Sequence, residues 1–475
     1  MTVAEVTSSV SSTSDLPAKQ LNVVVFDVPG LGDRSYLVHD GEKAIVVDPQ
    51  RDPAPYIVTA TDIGVEIELV LETHLHNDYV SGGLALSRRV QATYGVPSGE
   101  SVCFEQECEI LDEGDELAVG ALGLTVLATP GHTPHHLSFL VEDRAGGAAI
   151  LTGGSLLAGA TGRTDLLGPD RAAPLAQAQW SSVRRLLNSL PAATAVLPTH
   201  GFGSFCSAGA VIATEELTIA TEMERNPAAL LGIEAFVESL IGEPPPIPAY
   251  YRYMAPLNRA GAVEPRYGAV PVVSASCLAE LLDKGTAIVD LRGRRAFAQA
   301  HHRGTLNIEL GPSLPTYLGW LLPFAAPLVV VSTTLDEVLE ASRLLARIGR
   351  ENLAGWAPAK FIDVLGPLAV GHYEVCGFQD LARRSEGRPR PHVLDVRFAH
   401  EWRSGHIDGA RNVALPDISS VLSVLPRNEE IWVHCAAGFR AAIATSLLSA
   451  SGFRPVLVDD VLDNAVAAGL EVVSE

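Results

Sequence analysis

The chain has 475 residues, with 34 Lys and Arg against 56 Asp and Glu for a formal net charge of −22. The negative charge is spread along its length and no basic patch interleaves with aromatics, which excludes nucleic acid and anionic membrane surfaces as expected partners. At 47% hydrophobic residues the chain is well filled, and about 150 residues per domain predicts roughly three domains.

Residues 1–20, "MTVAEVTSSVSSTSDLPAKQ", lack the basic start and apolar run of a signal peptide. They read as a disordered tail on a cytoplasmic protein. From Leu21 short β-rich runs are broken by Gly and Asp: "LNVVVFDVPG", "RSYLVHDGEKAIVVDPQ", "IELVLETH", "LTVLATPGH", "GAAILTGG", "TAVLPTHG". Because strand, turn and candidate ligand recur, the ligands should meet at one rim of a sheet sandwich. "ETHLHNDYVSGG" places His74, His76 and Asp78 at alternate positions and then Tyr79. "TPGHTPHH" adds His132, with His135 and His136 behind it, and "PTHGFGSFC" adds His200, with Cys206 six residues on.

These motifs resemble the His-x-His-x-Asp-His loop and the later ligand loops of the metallo-β-lactamase superfamily, over residues 21–245. The resemblance implies an αββα sandwich. In two-metal members the matching residues are His74, His76 and His132 for one metal and Asp78 and His200 for the other, bridged by an aspartate from a TGD loop. Tyr79 stands where a further histidine would complete the second site. A phenol with a pKa near 10 is a poor zinc ligand at neutral pH, so one metal per chain is expected. "GRTDL" at 162–166 looks like the persulfide dioxygenases of this superfamily, which hold one non-haem iron on two histidines and the TGD aspartate. His74 and His132 match, but "LTGGSLL" puts Gly154 in place of the carboxylate. The third ligand would then come from His76 or Asp78, with His200 more distant. The alternatives are a site that binds persulfide without oxidising it, or a different metal. Arg163 and Asp165 either bind the substrate's carboxylate or tie down their own loop, and His135 and His136 read as supporting or packing residues.

After a helical stretch near Glu215 to Ile241, "GEPPPIPAYYRYMAPLNRAGAVEPRYG" reads as a Pro-rich linker, residues 246–267. Two copies of one domain follow, at 268–370 and 380–475. "IVDLRGRRAFAQAHHRGTLNI" and "VLDVRFAHEWRSGHIDGARNV" align without a gap, pairing Asp290, Arg292, His301, Gly304 and Asn307 with Asp395, Arg397, His406, Gly409 and Asn412. Strand and helix alternate in each, which predicts parallel sheets. "LPTYLGWLLPFAAPLVVVS" mimics a membrane span, but Pro315, Pro323 and Pro327 divide it into a helix, a turn and a strand.

In the second copy the strand "EIWVH" leads through "CAAGFR" into a helix. A cysteine at a helix N-terminus, ringed by backbone N–H groups with Gly438 and Arg440 beside it, is expected to be a nucleophile. Four residues separate Cys435 from Arg440, one fewer than in cysteine phosphatases, so the cradle suits a sulfane sulfur better than a phosphate. This resembles the rhodanese family, in which the loop carries a cysteine persulfide. The first copy's equivalent, "TTLDEVLEASRLL", has no cysteine, glycine or arginine in its loop and reads as a structural or docking domain.

The sequence therefore predicts an α/β chain: an N-terminal αββα metallo-β-lactamase sandwich followed by two α/β rhodanese-like domains. The resemblances imply one Fe(II) per chain, with zinc as the alternative. Low-molecular-weight thiol persulfide would be oxidised by O₂ to sulfite, and Cys435 would pass sulfur to or from thiosulfate. Cys435, Arg440 and Cys206 are the catalytic candidates; His74, His132, His76, Asp78 and His200 the metal candidates; and Arg163, Asp165 and Gly438 the substrate candidates. Two other functions are compatible, a glyoxalase II-like zinc thioester hydrolase and a persulfide carrier or sensor. The remaining four cysteines, Cys103, Cys108, Cys277 and Cys376, read as inert, and a homo-oligomer is compatible with the composition.

Overall fold

Alternation of side chains along short strands builds the first part of the chain in four layers. The computed structural model describes residues 21–474 apart from 209–216, 243, 245, 266, 352, 365, 367, 368 and 388. The expected tail at 1–20 lies outside the described residues. The chain divides into two units, Met1–Arg266 with Leu345–Gly349 and Tyr267–Leu344 with Arg350–Glu475.

In the first unit, strands β1 (Asn22–Val28), β2 (Asp33–His39), β3 (Lys43–Val47), β4 (Glu66–Leu71), β5 (Thr93–Pro97) and β6 (Glu109–Leu111) form one sheet in sequence order. A second sheet has β7 (Glu116–Val119), β8 (Leu122–Ala128), β9 (Leu137–Glu142) and β10 (Ala148–Gly153). After a two-stranded excursion, β11 (Leu156–Leu157) and β12 (Ala160–Thr161), β13 (Ala195–Pro198) pairs parallel to β10. Tyr36, Val38, Ile45, Val47, Leu69 and Leu71 face Leu122, Leu124, Val126, Phe139, Val141 and Leu151 between the sheets. The intervening residues Leu37, Ala44, Val46 and Val70 point the other way, onto Tyr56 and Ala60 of one helix and Leu84 and Leu86 of the next. On the far face of the second sheet the Pro169–Ser189 helix buries Val183, Leu186 and Leu187 against Ile150 and Val196. This is the αββα sandwich that period-two strands with two buried faces require.

The second unit holds two parallel sheets. One has the order Leu306–Asn307, Ala287–Asp290, Leu328–Ser332, Gly355–Pro358. The other runs Glu374–Cys376, Arg454–Val458, Glu430–His434, His392–Asp395, Arg411–Asn412. The repeated residues make the same bonds in both. Arg292 forks onto Asp290 and donates to Ala300 O, as Arg397 does onto Asp395 and Gly405 O. Asn307 Nδ2 donates to the carbonyls of residues 290 and 292, and Asn412 Nδ2 to those of 395 and 397. Each trio pins a strand end to the loop that follows it, which is why all three residue types recur. The segment that mimicked a membrane span is a helix at Leu314–Leu321 and a strand at Leu328–Ser332. No described helix is long and apolar enough to cross a membrane.

Residues 246–267, expected to be a linker, carry a helix at Tyr251–Ala260 that buries Tyr251, Met254 and Asn258. Pro256 lies inside that helix. The prolines suggested an extended spacer, but the buried face of the helix outweighs them.

Candidate functional site: a histidine cluster and a thiol loop

The ends of β3, β4, β10 and β13, the start of β2 and the β8–β9 turn bring Asp48, the 72–82 loop, Gly154, His200, Asp33 and His132 to one rim of the sandwich. His74, His76, His132 and His200 are each fully buried there. In His74, His132 and His200 the nitrogen nearest the fold is occupied by a hydrogen bond. His74 Nδ1 lies 2.8 Å from Thr73 Oγ1, which itself donates to Asp48 Oδ2, so the imidazole is the donor. His132 Nδ1 donates to Arg163 O at 2.8 Å, and His200 Nδ1 to Asp33 Oδ1 at 2.8 Å. His76 Nε2 lies 3.2 Å from Asp48 Oδ1 and 3.4 Å from Glu72 Oε2. At His74, His132 and His200 these oxygens fix the tautomer and leave the other nitrogen as a bare lone pair, the outer arrangement that metal-binding histidines use, whereas neither nitrogen of His76 has a hydrogen-bond partner.

Among the described residues three groups of atoms with ligand spacing result, one of them Asp48, Glu72 and His76. One atom each from His74, His132 and His200 lies within 4.8 Å of the others, and so does one each from His76, Asp78 and His200. His132 Nε2, His76 Nδ1 and Asp78 Oδ1 are buried without a hydrogen-bond partner, and His74 Nε2 sits 3.4 Å from His200 Nε2. Converging lone pairs repel one another, and a divalent cation relieves that. The residues present therefore fit a metal ion. An all-imidazole set suits iron or zinc alike. Burial first, and then the neighbouring imidazoles, hold His74 and His132 well below the ordinary histidine pKa, so both rings are neutral. His76 goes the other way: burial opposes its charged form, but Asp48 and Glu72 raise it to about 10. Burial pushes Asp33 and Asp78 up to about 7 each, and for Asp78 the charge of Asp33 adds to the rise.

The third histidine of the first group is His200, which the sequence placed behind His76 and Asp78. Gly154 explains part of this. A Cβ at 154 would stand 2.3 Å from His132 Cδ2 and 2.8 Å from its Nε2, so the imidazole fills the space a side chain would need. The backbone N–H of Gly154 donates to His136 Nε2 at 2.9 Å, and His136 Nδ1 meets Thr129 Oγ1. Both His136 nitrogens are thus engaged, and His135 is exposed. Tyr79 is fully buried, stacks on His76 at 4.3 Å and donates to Asp48 O at 3.1 Å. Burial raises its phenol well above 10, which keeps the proton on and the oxygen off a metal.

Arg163 is 1% exposed. It forks onto Asp165 with two bonds of 2.7 Å and reaches Phe205 O. The pair holds its own loop, and through Arg163 O it also holds His132. Cys206 is fully buried, and burial with the charges of Asp78 and Asp33 pushes its thiol far above the ordinary value. That environment suppresses the thiolate a nucleophile needs.

Sequence reasoning missed Asp48. It takes hydrogen bonds from Thr73 N, Thr73 Oγ1 and Thr199 Oγ1 at a left-handed φ of 52°. The aspartate ending "VVDP" was its only signal. Asn258 was missed too: its side chain accepts from Ser81 N and donates to His76 O and Tyr79 O, clasping the ligand loop.

In the second unit Cys435 follows the Glu430–His434 strand and opens onto the Phe439–Ala450 helix. It is 2% exposed, and Ala441 N donates to its Sγ at 3.4 Å. Gly438 has φ 85°, and a Cβ there would stand 2.4 Å from Asp459 Oδ1, so the turn admits only glycine. Arg440 does not point freely at the thiol. It forks onto Glu401 at 2.5 and 2.7 Å. Burial alone would raise the Glu401 carboxyl, but Arg440 brings it below the usual range.

A model of the metallo-beta-lactamase superfamily matches residues 29–200, and a rhodanese-like domain model matches residues 378–460. The mitochondrial persulfide dioxygenase ETHE1 of Homo sapiens is 27% identical over 235 residues, 49% of this chain and 85% of that protein. A hydroxyacylglutathione hydrolase of Cereibacter sphaeroides is 31% identical over 179 residues, 37% of this chain and 65% of that one. Among solved structures, a metallo-beta-lactamase from Staphylococcus aureus superposes with a TM-score of 0.64 at 27% identity, covering 71% of this chain and 99% of that chain. The chain therefore joins a domain of the metallo-beta-lactamase superfamily to a rhodanese-like domain, with relatives among the persulfide dioxygenases.

Proposed function

We propose that this protein is an enzyme of sulfur metabolism that oxidises a low-molecular-weight thiol persulfide to sulfite in its first unit and transfers sulfane sulfur at Cys435 in its second. The observation that carries the reading is the coexistence in one chain of a three-imidazole cluster, His74, His132 and His200, and a thiol seated at a helix N-terminus. The likeness to persulfide dioxygenases supports the choice of substrate. The balanced overall reaction is RSSH + O₂ + H₂O giving RSH, sulfite and two protons.

A bound iron would supply open coordination positions and one-electron chemistry toward O₂. His74, His132 and His200 would hold it. Thr73, the Arg163 carbonyl and Asp33 keep their tautomers fixed, and burial excludes bulk water. At Cys435 the Ala441 N–H at the start of the helix holds the sulfur that attacks an outer sulfur.

A second reading, a two-metal thioester hydrolase, draws on the His76, Asp78 and His200 group and on the hydroxyacylglutathione hydrolase relatives. Metal content separates the two. The purified protein should hold about one iron per chain, consume O₂ with glutathione persulfide, and lose that uptake on His132→Ala while keeping it on Cys435→Ser. About two zinc ions per chain with thioester cleavage would favour the hydrolase. Sulfur transfer without metal-dependent O₂ uptake would reduce the first unit to a persulfide-binding module.

A further inference from the structure

Beside the three-imidazole cluster lies a group of donors that the cluster does not use. Asp48 follows β3, while Glu72 and His76 stand on either side of His74 in the ligand loop. One atom from each of the three lies within 4.8 Å of the others. None of these residues is more than 1% exposed.

Neighbouring groups hold each donor in place. Asp48 Oδ1 accepts from Thr73 N at 2.7 Å, and its Oδ2 accepts from Thr73 Oγ1 and Thr199 Oγ1. Glu72 Oε1 accepts from Ser81 Oγ and from Tyr94 OH. The His76 ring lies stacked on Tyr79. Such supports are what fixed metal ligands have behind them. Two atoms are left over: Glu72 Oε2 and His76 Nε2 are both buried without a hydrogen-bond partner. They face one another and Asp48, with His76 Nε2 3.2 Å from Asp48 Oδ1 and 3.4 Å from Glu72 Oε2.

These separations discriminate between a proton and a metal ion. A charged imidazole bonded to a carboxylate brings nitrogen and oxygen to about 2.7–2.9 Å, and neither pair is that close. Donors held tetrahedrally at about 2.0–2.1 Å from a zinc ion stand about 3.3–3.4 Å from one another. Both pairs lie near that edge length. Charge points the same way, because buried carboxylates need compensation. One proton on the ring would answer one of the two, and a divalent cation answers both.

We propose that Asp48, Glu72 and His76 form a separate, structural cation site that takes a divalent ion of the zinc class. Its donors bracket His74, so the ion would tie the residues two before and two after that ligand to the end of β3. His74 would then be presented to the rim by a pinned loop. Two carboxylates and one imidazole distinguish this site from the His76, Asp78 and His200 group, and it does not depend on the persulfide reaction proposed above.

The test uses the full-length His132→Ala protein, which leaves the rim only two of its three imidazoles, produced with zinc supplied and dialysed against a strong chelator. Elemental analysis should find about one zinc retained per chain. X-ray absorption at the zinc edge should show one imidazole among oxygen donors. Adding Glu72→Gln should remove the zinc, while adding Tyr94→Phe, which takes a bond from Glu72 but no donor from the ion, should leave it in place. A folded His132→Ala protein without zinc overturns the proposal. So does zinc with two imidazole neighbours, which would sit on His74 and His200, or zinc undiminished by Glu72→Gln. Iron content and O₂ uptake of the unaltered protein test the persulfide reading separately, so either can fail alone.

Discussion

Gly154 looks like a missing ligand in the sequence and is a packing necessity in the structure. The space that its side chain would fill belongs to His132, whose Nδ1 is fixed by Arg163 O and whose ring cannot retreat without losing that bond. Restoring a carboxylate should therefore fail to improve the site. Gly154→Ala and Gly154→Asp are both expected to displace His132, destabilising the first unit by about 1–3 kcal/mol as overpacking does. Metal affinity should fall about tenfold or more, the size of effect seen when a ligand's orientation is lost. Elemental analysis after dialysis, with thermal unfolding alongside, decides the matter. A Gly154→Asp protein that binds metal as well as the unaltered chain would show that His132 has another place to go.

At the scale of elements, the short-range order was legible and the long-range clasps were not. The paired Asp, Arg and Asn of the two copies could be aligned by eye because each bonds its own strand end within about twenty residues of sequence, and the structure repeats those bonds. The ligand motifs were legible for the same reason: alternation along one loop places His74, His76 and Asp78 together. What brings His200 to His74 is the parallel pairing of β13 with β10, a contact with no local signal. Asn258 was hidden more deeply, since its bonds span 177 to 182 residues and start from a segment whose prolines read as spacer. Its replacement by alanine removes three hydrogen bonds and strands buried backbone groups of the ligand loop. At about 1 kcal/mol each, Asn258→Ala should cost roughly 3 kcal/mol. Denaturant unfolding measures this, and a change below about 0.5 kcal/mol, the range of ordinary surface substitutions, would mean the clasp is ornamental. The packing of Tyr317 on Phe439, with ring centres 5.5 Å apart, was unreadable too, because nothing in a strand-and-helix pattern says which copy faces which.

For the molecule as a whole, every candidate metal ligand comes from the first unit and Cys435, the thiol proposed for sulfur transfer, from the second. The cores are separate as well: Leu71, Phe139 and their neighbours in one, Phe378, Trp432 and Val458 in the other. Unfolding of such a chain is not a single two-state event. A metal that binds only the folded first unit stabilises it by mass action, about 2.7 kcal/mol when free metal stands at a hundred times its dissociation constant. Scanning calorimetry should thus resolve two transitions, and a strong chelator should lower one by several degrees while leaving the other in place. His132→Ala should reproduce the chelator's shift and then be insensitive to it, whereas Cys435→Ser should respond like the unaltered protein. If chelation moved both transitions together, the two units would be coupled in stability, and the loss of sulfur transfer in a metal-free preparation could no longer be read as a property of Cys435 alone.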